Sequence, residues 1–324
     1  MLSIEKAQNI IEKEIERLVI PTEPKNLYKP VRYILENGGK RIRPALLLVA
    51  CDMFNSDFMK ALYPALGIEV FHNFTLLHDD LMDNSAIRRS KPTVHIKWDS
   101  NTAILSGDVM SILANNLMGM VDKEVVFPVT RLFNKTAMEV CEGQMLDMEY
   151  ALRESVSIPE YINMIRLKTS VLIAASLGIG SLIGGASECD ADILYKFGIN
   201  LGLAFQIQDD YLDSFGDPKI FGKKIGMDIL ANKRTFLAIS AFEKASGKDQ
   251  EYLKKLFSVI DSDPAEKIQN VLNLYEKYGI RDSAKNKILN LHLSGIEYLN
   301  SLNIPAERKK WLLEFSEVLL NRKK

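Results

Sequence analysis

Two short acidic clusters stand out in this 324-residue chain: Asp79-Asp80-Leu81-Met82-Asp83 and, 130 positions on (209 − 79), Asp209-Asp210-Tyr211-Leu212-Asp213. They share one spacing, and each follows an apolar run, Phe74-Thr75-Leu76-Leu77 before the first and Leu203-Ala204-Phe205 before the second. Carboxylates settle among apolar residues only where positive charge or hydrogen bonds hold them. On a helix the first and fifth residues of each cluster lie on one face, about one turn apart. Two such faces set opposite each other would offer hard oxygen ligands to several Mg²⁺ ions. Mg²⁺ takes one or two carboxylates and fills its shell with water and phosphate, so the duplication predicts a cage for a diphosphate. A single cluster could be a solvated helix end. Two matching copies in apolar settings argue against that.

Cations near these clusters extend the pattern. Gly38-Gly39-Lys40-Arg41-Ile42-Arg43-Pro44 puts flexible backbone before three cations at a predicted helix start. Free amides there, with Lys40 and Arg43, could hold an anion, although the string alone equally describes a solvated turn. Arg88 and Arg89 follow Asp83 in a loop running to Pro92, and guanidinium forks match phosphate oxygens. His72 precedes Asp79 by seven residues, two helical turns away on the same face. That placement sets a functional imidazole against an ordinary core histidine. Gln206 precedes Asp209 by three and shares its face, whereas His78 reads either as packing or as a support behind the ligand residues. Lys168-Thr169, Lys223 and Lys233 are unremarkable one by one.

The elements that must position these groups read as helices throughout. Helical periodicity runs over about 3–18, 25–36, 42–54, 58–83, 100–120, 124–151, 159–185, 190–213, 228–246, 249–260, 264–278, 280–302 and 306–322. Gly38-Gly39, Pro128, Pro159, Gly184-Gly185, Asp217-Pro218 and Pro305 mark boundaries or bends. No segment alternates with period two between turn signals, and no composition shift marks a linker. The expectation is one all-α domain over residues 1–324, with apolar central helices around a deep cavity.

Composition narrows the class without naming a reaction. Lys+Arg 41 against Asp+Glu 42 gives a net charge of -1, so no overall field favours nucleic acid or an anionic membrane. Cys51, Cys141 and Cys189 are scattered without metal-ligand spacing, as in a reducing compartment. The charged start, Met1-Leu2-Ser3-Ile4-Glu5-Lys6, does not read as a signal peptide. The weakly polar stretch from Val171 to Ala186 is short for a membrane span. A cytoplasmic protein without an integral membrane segment is expected.

Taken together, these residues resemble the trans-isoprenyl diphosphate synthases, the polyprenyl synthetase family. The resemblance covers about Gly38 to Arg234. It rests on Gly38-Gly39-Lys40 with Arg43-Pro44, the first acidic cluster with Arg88-Arg89, Lys168-Thr169, Phe205-Gln206-Ile207-Gln208-Asp209-Asp210, Gly222-Lys223 and Asn232-Lys233. Ser90 departs from the glycine that the family usually carries after the arginine pair. The resemblance implies three Mg²⁺ ions held by Asp79 and Asp83 with Asp209 opposite, supported by Asp80, Asp210 and Asp213. It implies further that Arg88, Lys168, Lys223 and Lys233 contact the diphosphate of an allylic substrate. Lys40, Arg43, His72 and Arg89 would bind isopentenyl diphosphate in a neighbouring metal-free pocket. Thr169 and Gln206 would lie beside the allylic carbon, and a homodimer is expected. The implied chemistry is ionisation, condensation and elimination, with no nucleophilic Ser or Cys.

Product length is the finer question. In this family the growing chain runs beside the helix of the first cluster, and bulky residues upstream form its floor. Phe74 lies about 7.5 Å and Phe71 about 12 Å from Asp79 along a helix. Thr75, one position nearer the metals, is small, and the cluster carries no insertion. That combination resembles enzymes making the twenty-carbon geranylgeranyl diphosphate, with fifteen-carbon farnesyl diphosphate the next candidate. Both phenylalanines could instead simply pack between helices. Two other classes stay open: a class I terpene cyclase, which needs no second diphosphate site, and a non-catalytic subunit of a heteromeric synthase.

Overall fold

Side-chain caps set several helix starts. Ser3 accepts from the Lys6 amide, Asp99 from Thr102, Thr235 from Ala238, and Asp263 from Ala265 and Glu266. Ser157 and Glu160 form a reciprocal capping box with Pro159 just inside the helix, each group satisfying an amide that the helix leaves unpaired. The computed structural model describes residues 1–217, 225–258 and 263–322.

The first helices are α1 (Ile4–Arg17), α2 (Lys25–Leu35) and α3 (Ile42–Asp52). A 3₁₀ turn (Phe58–Ala61) leads into α4 (Leu62–Met82). Two-residue strands β1 (Ile87–Arg88) and β2 (Lys91–Pro92) pair antiparallel, Ile87 opposite Pro92. Then come α5 (Val94–Lys97), α6 (Ser100–Met118), α7 (Lys123–Leu152) and α8 (Ile158–Ile165). A π-helical turn (Arg166–Ser170) joins α8 to α9 (Val171–Ile183), followed by α10 (Glu188–Phe215). The remainder are α11 (Met227–Leu230), α12 (Phe236–Lys244), α13 (Gly247–Ser258), α14 (Pro264–Lys277), α15 (Ile280–Ser301) and α16 (Ala306–Leu320). The all-α expectation holds.

Two of the predicted helices are interrupted, and the segment read as a loop after the first acidic cluster forms β1, β2 and α5. The helix expected over 228–246 breaks after α11, because Asn232 adopts a left-handed φ of 55° and Thr235 caps a new helix. Asparagine tolerates that conformation better than most residues. The helix expected over 159–185 carries the π turn at its middle. Space for that turn comes from Gly143 and Gly202. A Cβ on Gly143 would collide with the Lys168 amide, and one on Gly202 would lie 2.5 Å from Ser170 Cα. Pro128, expected to bend or end a helix, sits inside α7 in its second turn, where it removes one i→i−4 hydrogen bond without ending the helix.

The helices gather into two compact units, one of Met1–Ala137, Leu172–Tyr195 and Leu302–Leu312, the other of Met138–Val171, Lys196–Ser301 and Leu313–Lys324. Unit boundaries fall inside α7, α9, α10 and α16. In the first unit α4 packs along α6 and α3, and α3 is buried from Pro44 to Cys51. In the second, α8, α10, α12, α13, α14 and α15 enclose a core that includes Tyr161, Ile207, Leu237, Leu253, Val271 and Tyr275. Ile158–Ile183 is long and apolar enough to cross a membrane by length and composition, yet 72% of its most apolar window is buried within the protein.

Close helix approach makes one testable demand. Gly180 of α9 lies against the Leu47 carbonyl of α3, where an added Cβ would collide with backbone. Gly180→Ala is expected to destabilise the protein by about 1–3 kcal/mol through overpacking, measured by urea denaturation.

Candidate active site

The first acidic cluster ends α4. Asp79 and Asp80 lie in its last turn and Asp83 is its C-cap, its amide donating to the Asp79 carbonyl at 2.8 Å. The three carboxylates are not equivalent. Asp80 is buried and receives Arg88 Nε at 2.7 Å, while Arg88 Nη2 reaches Asp79 at 3.4 Å. Burial pushes the Asp80 carboxyl up and Arg88 pulls it back. Asp83 is exposed. Strand β1 thus delivers Arg88 to the two carboxylates at the end of α4.

Two turns earlier on α4, His72 faces Arg43 of α3, with Arg43 Nη1 3.2 Å from His72 Nε2. Burial, then the charges of Arg43, Arg89, Arg88 and Arg41, hold the imidazole well below its ordinary pKa, so it is neutral at pH 7. Burial likewise lowers Arg43 to about 10. Arg89 donates to the Gly38 carbonyl and lies over Gly39, and Lys40 is exposed beside them. The structure therefore brings Arg43 to His72 and Arg89 to the Gly38-Gly39 turn that precedes Lys40.

The second cluster lies within α10. Asp210 is buried and accepts from the Tyr161 hydroxyl, the Phe236 amide at 3.3 Å and Gln206 Nε2 at 3.4 Å. Burial still pushes it up to about 7. Asp213 accepts from the Asp228 amide at 3.0 Å, and burial pushes it to about 6. Asp209 is more exposed and pairs with Arg322, whose guanidinium also lies 4.5 Å from the Phe205 ring centre. Thr169 Oγ1 donates to Gln206 Oε1 at 3.1 Å, and Lys168 Nζ donates to Asp147 at 2.6 Å. Lys233 approaches Asp228 at 3.6 Å. Lys223 lies outside the described residues.

Among the described residues no three acidic, histidine or cysteine side chains already form a metal cluster. The donor chemistry nonetheless suits Mg²⁺, which needs only one or two carboxylates per element and takes its other oxygens from water and phosphate. Asp79, Asp83 and Asp209 are the more accessible carboxylates. Asp80, Asp210 and Asp213 are buried against protein donors.

The aromatic floor divides. Phe71 is 2% exposed and packs on Phe133 with ring centres 5.2 Å apart, so it is core. Phe74 is half-buried against His78, centres 4.8 Å apart, and Thr75 donates to the His72 carbonyl. His78 meets the Ile104 carbonyl of α6 at 3.2 Å, in keeping with a packing role. Tyr161, Asp147, Asp228 and Arg322 were not singled out in the sequence. Only Gly143, a glycine inside an otherwise regular helix, signals the close approach that brings Asp147 to Lys168.

Residues 24–275 match the polyprenyl synthetase family. The chain is 37% identical over 321 residues to the geranylgeranyl diphosphate synthase of Methanosarcina mazei, across 98% of this chain and 97% of the relative. It is 34% identical to the geranylfarnesyl diphosphate synthase of Natronomonas pharaonis, across 96% and 94%. A crystal structure of geranylgeranyl pyrophosphate synthase matches it with a TM-score of 0.95 at 42% identity, covering 100% of both chains.

The neutral state of His72 has a thermodynamic signature. Its folded pKa lies below the unfolded value, so the unfolded chain binds more protons in the window below about 6.5. Stability is then complete above about pH 6.5 and falls as pH drops, by up to about 1.4 kcal/mol per pH unit. Comparing urea unfolding at pH 7 and pH 5, His72→Gln is expected to lessen that fall.

Proposed function

The chain belongs to the polyprenyl synthetase family and is a prenyltransferase, and we propose that it condenses an allylic diphosphate with isopentenyl diphosphate, head to tail, to make geranylgeranyl diphosphate. The observation that carries this reading is that α4 serves two different anion-handling groups. A neutral His72 with Arg43 and Arg89 lies two turns from Asp79, Asp80 and Arg88. Elongation needs two diphosphates handled differently, one ionised and one merely held. A cyclase needs only the first.

Asp79, Asp83 and Asp209 would hold Mg²⁺, three ions in the full site, with Asp80, Asp210 and Asp213 supporting them. Bound Mg²⁺ neutralises charge that builds on a leaving oxygen. Arg88, Lys168, Lys223 and Lys233 add positive charge to the same diphosphate. Its allylic carbon–oxygen bond breaks with both electrons going to the diphosphate. Thr169 and Gln206 turn oxygen dipoles towards the allylic cation. Lys40, Arg43, His72 and Arg89 hold isopentenyl diphosphate so that its double bond attacks that cation. A proton then leaves to the departed diphosphate, forming the new double bond. Exclusion of water protects the cation from quenching.

One functional domain over residues 1–324 is part of this reading. All three cysteines are free, which supports a reducing, cytoplasmic setting. A homodimer is supported by apolar faces open to solvent, Ile104, Leu105 and Ile112 of α6 and Met138, Met145 and Met148 of α7. Leu105→Glu combined with Ile112→Glu is expected to convert dimers to monomers in analytical ultracentrifugation.

The reaction is tested by incubating the purified chain with Mg²⁺, isopentenyl diphosphate and dimethylallyl, geranyl or farnesyl diphosphate. Linear twenty-carbon diphosphate supports the proposal, cyclic hydrocarbons identify a cyclase, and no product identifies a subunit. Relatives of similar identity carry names with different chain lengths, so length rests on α4. Thr75 lies about 40° round the helix from Asp79 and Phe74 about 140°. Thr75→Phe is expected to shorten the product to fifteen carbons and Phe74→Ala to lengthen it, both read by chromatography. An unchanged product from Phe74→Ala would reduce Phe74 to packing.

A further inference from the structure

Arg41 stands at the centre of the Gly38–Pro44 string, yet no step above uses it. Its side chain is 1% exposed and turned inward. Nε donates to Glu12 at 2.7 Å, Nη1 to Glu69 at 2.6 Å and Nη2 to the Leu35 carbonyl at 2.7 Å. Glu69 is itself buried, and Asn73 Nδ2 donates to its Oε1 at 3.0 Å. One guanidinium thus ties α1, the end of α2 and α4 together.

A buried ion pair is weak evidence for stability, because desolvation offsets much of the attraction. The backbone points to a second role. Gly38 has φ 73°, Gly39 φ 149° and Arg41 φ 46°. Long side chains keep that left-handed region only where their surroundings fix it. Here the reversal turns Arg41 inward, while Lys40 stays exposed and Arg43 reaches His72. Arg89 closes the other side over Gly39, where a Cβ would lie 2.9 Å from its Nη2. Charge follows the same layout. Two carboxylates against one guanidinium leave one net negative charge beneath the cations. Glu69 attracts both Arg43 and Arg89, while Arg89 disfavours the charge on Arg43.

We propose that Glu12, Arg41 and Glu69 are positioning residues for the isopentenyl diphosphate pocket, fixing the left-handed turn that presents Lys40 and Arg43 and supplying the counter-charge that keeps Arg43 and Arg89 together before substrate binds. This rests on the assignment of that pocket to Lys40, Arg43, His72 and Arg89. A charge effect alone and a positioning effect have opposite signs. Neutralising Glu69 makes the pocket more positive, which by itself would tighten a diphosphate; loss of the turn loosens it.

The test is steady-state kinetics of the full chain with Mg²⁺, varying each substrate at saturation of the other, for Glu69→Gln and Glu12→Gln. The KM for isopentenyl diphosphate is expected to rise about tenfold in Glu69→Gln and about threefold in Glu12→Gln, with kcat and the allylic KM within about twofold. An unchanged or lowered KM for isopentenyl diphosphate, or a loss shared by both substrates, overturns the proposal. Should Glu69→Gln fail to fold by circular dichroism, Glu12→Gln decides, since its side chain is 46% exposed. Lys40→Ala separates the two layers: if it leaves the KM for isopentenyl diphosphate unchanged, the pocket assignment fails and the positioning network falls with it.

Discussion

Polyanionic substrates require a protein to store cations and carboxylates at high density before any substrate arrives. Two unit charges 4 Å apart interact by about 4 kcal/mol at an effective dielectric of 20, so unpartnered neighbours of like sign would oppose folding. The resting arrangement meets that constraint with internal pairs. Arg88 sits on Asp79 and Asp80, Lys168 on Asp147, Lys233 beside Asp228, and Arg41 between Glu12 and Glu69. Except for Arg41, each pair includes a side chain assigned to substrate or metal. On the proposed assignment, substrate binding would exchange these partners for phosphate oxygens and metal ions.

The same constraint shows in two clusters of identical spacing that differ in exposure. Their second aspartates, Asp80 and Asp210, are both buried and both hydrogen-bonded. Their fifth positions diverge. Helix α4 ends at Met82, so Asp83 is a cap open to solvent, whereas α10 runs on to Phe215 and keeps Asp213 inside. There the Asp228 amide meets it. Where a helix stops decides whether a carboxylate is open to solvent or held by the fold.

Legibility followed the range of the interaction. The Asp79 and Asp209 clusters, and the placement of His72, depend on spacing along one helix, which sequence expresses directly. Tyr161 finds Asp210 across 49 positions and Arg41 finds Glu69 across 28, and nothing local in either residue marks its partner. The π turn that presents Lys168 and Thr169 was equally hidden. It exists because Gly143 and Gly202 vacate space on neighbouring helices, so its cause lies outside the segment that adopts it. Asn232 is the converse, a residue whose own conformational tolerance ends α11 where hydrophobic periodicity alone extended the helix.

Helix α4 shows how one rigid element can divide such tasks. At about 100° per residue, His72, Thr75, Asp79 and Asp83 fall on one face, Phe71, Phe74 and His78 on a second, and Glu69, Asn73 and Asp80 on a third. The contacts agree with that division. His78 reaches the Ile104 carbonyl of α6, while Glu69 reaches Arg41 and through it α1. These two faces anchor the helix from opposite sides and leave the face of His72, Thr75, Asp79 and Asp83 for ligands. Distances from the histidine to the carboxylates are then set by helical rise rather than by loop conformation, which suits a reaction that must align two diphosphates and exclude water. A substitution at Phe71, Glu69 or Asn73, all buried away from the ligand face, would act on catalysis by rotating or tilting this ruler, without touching substrate.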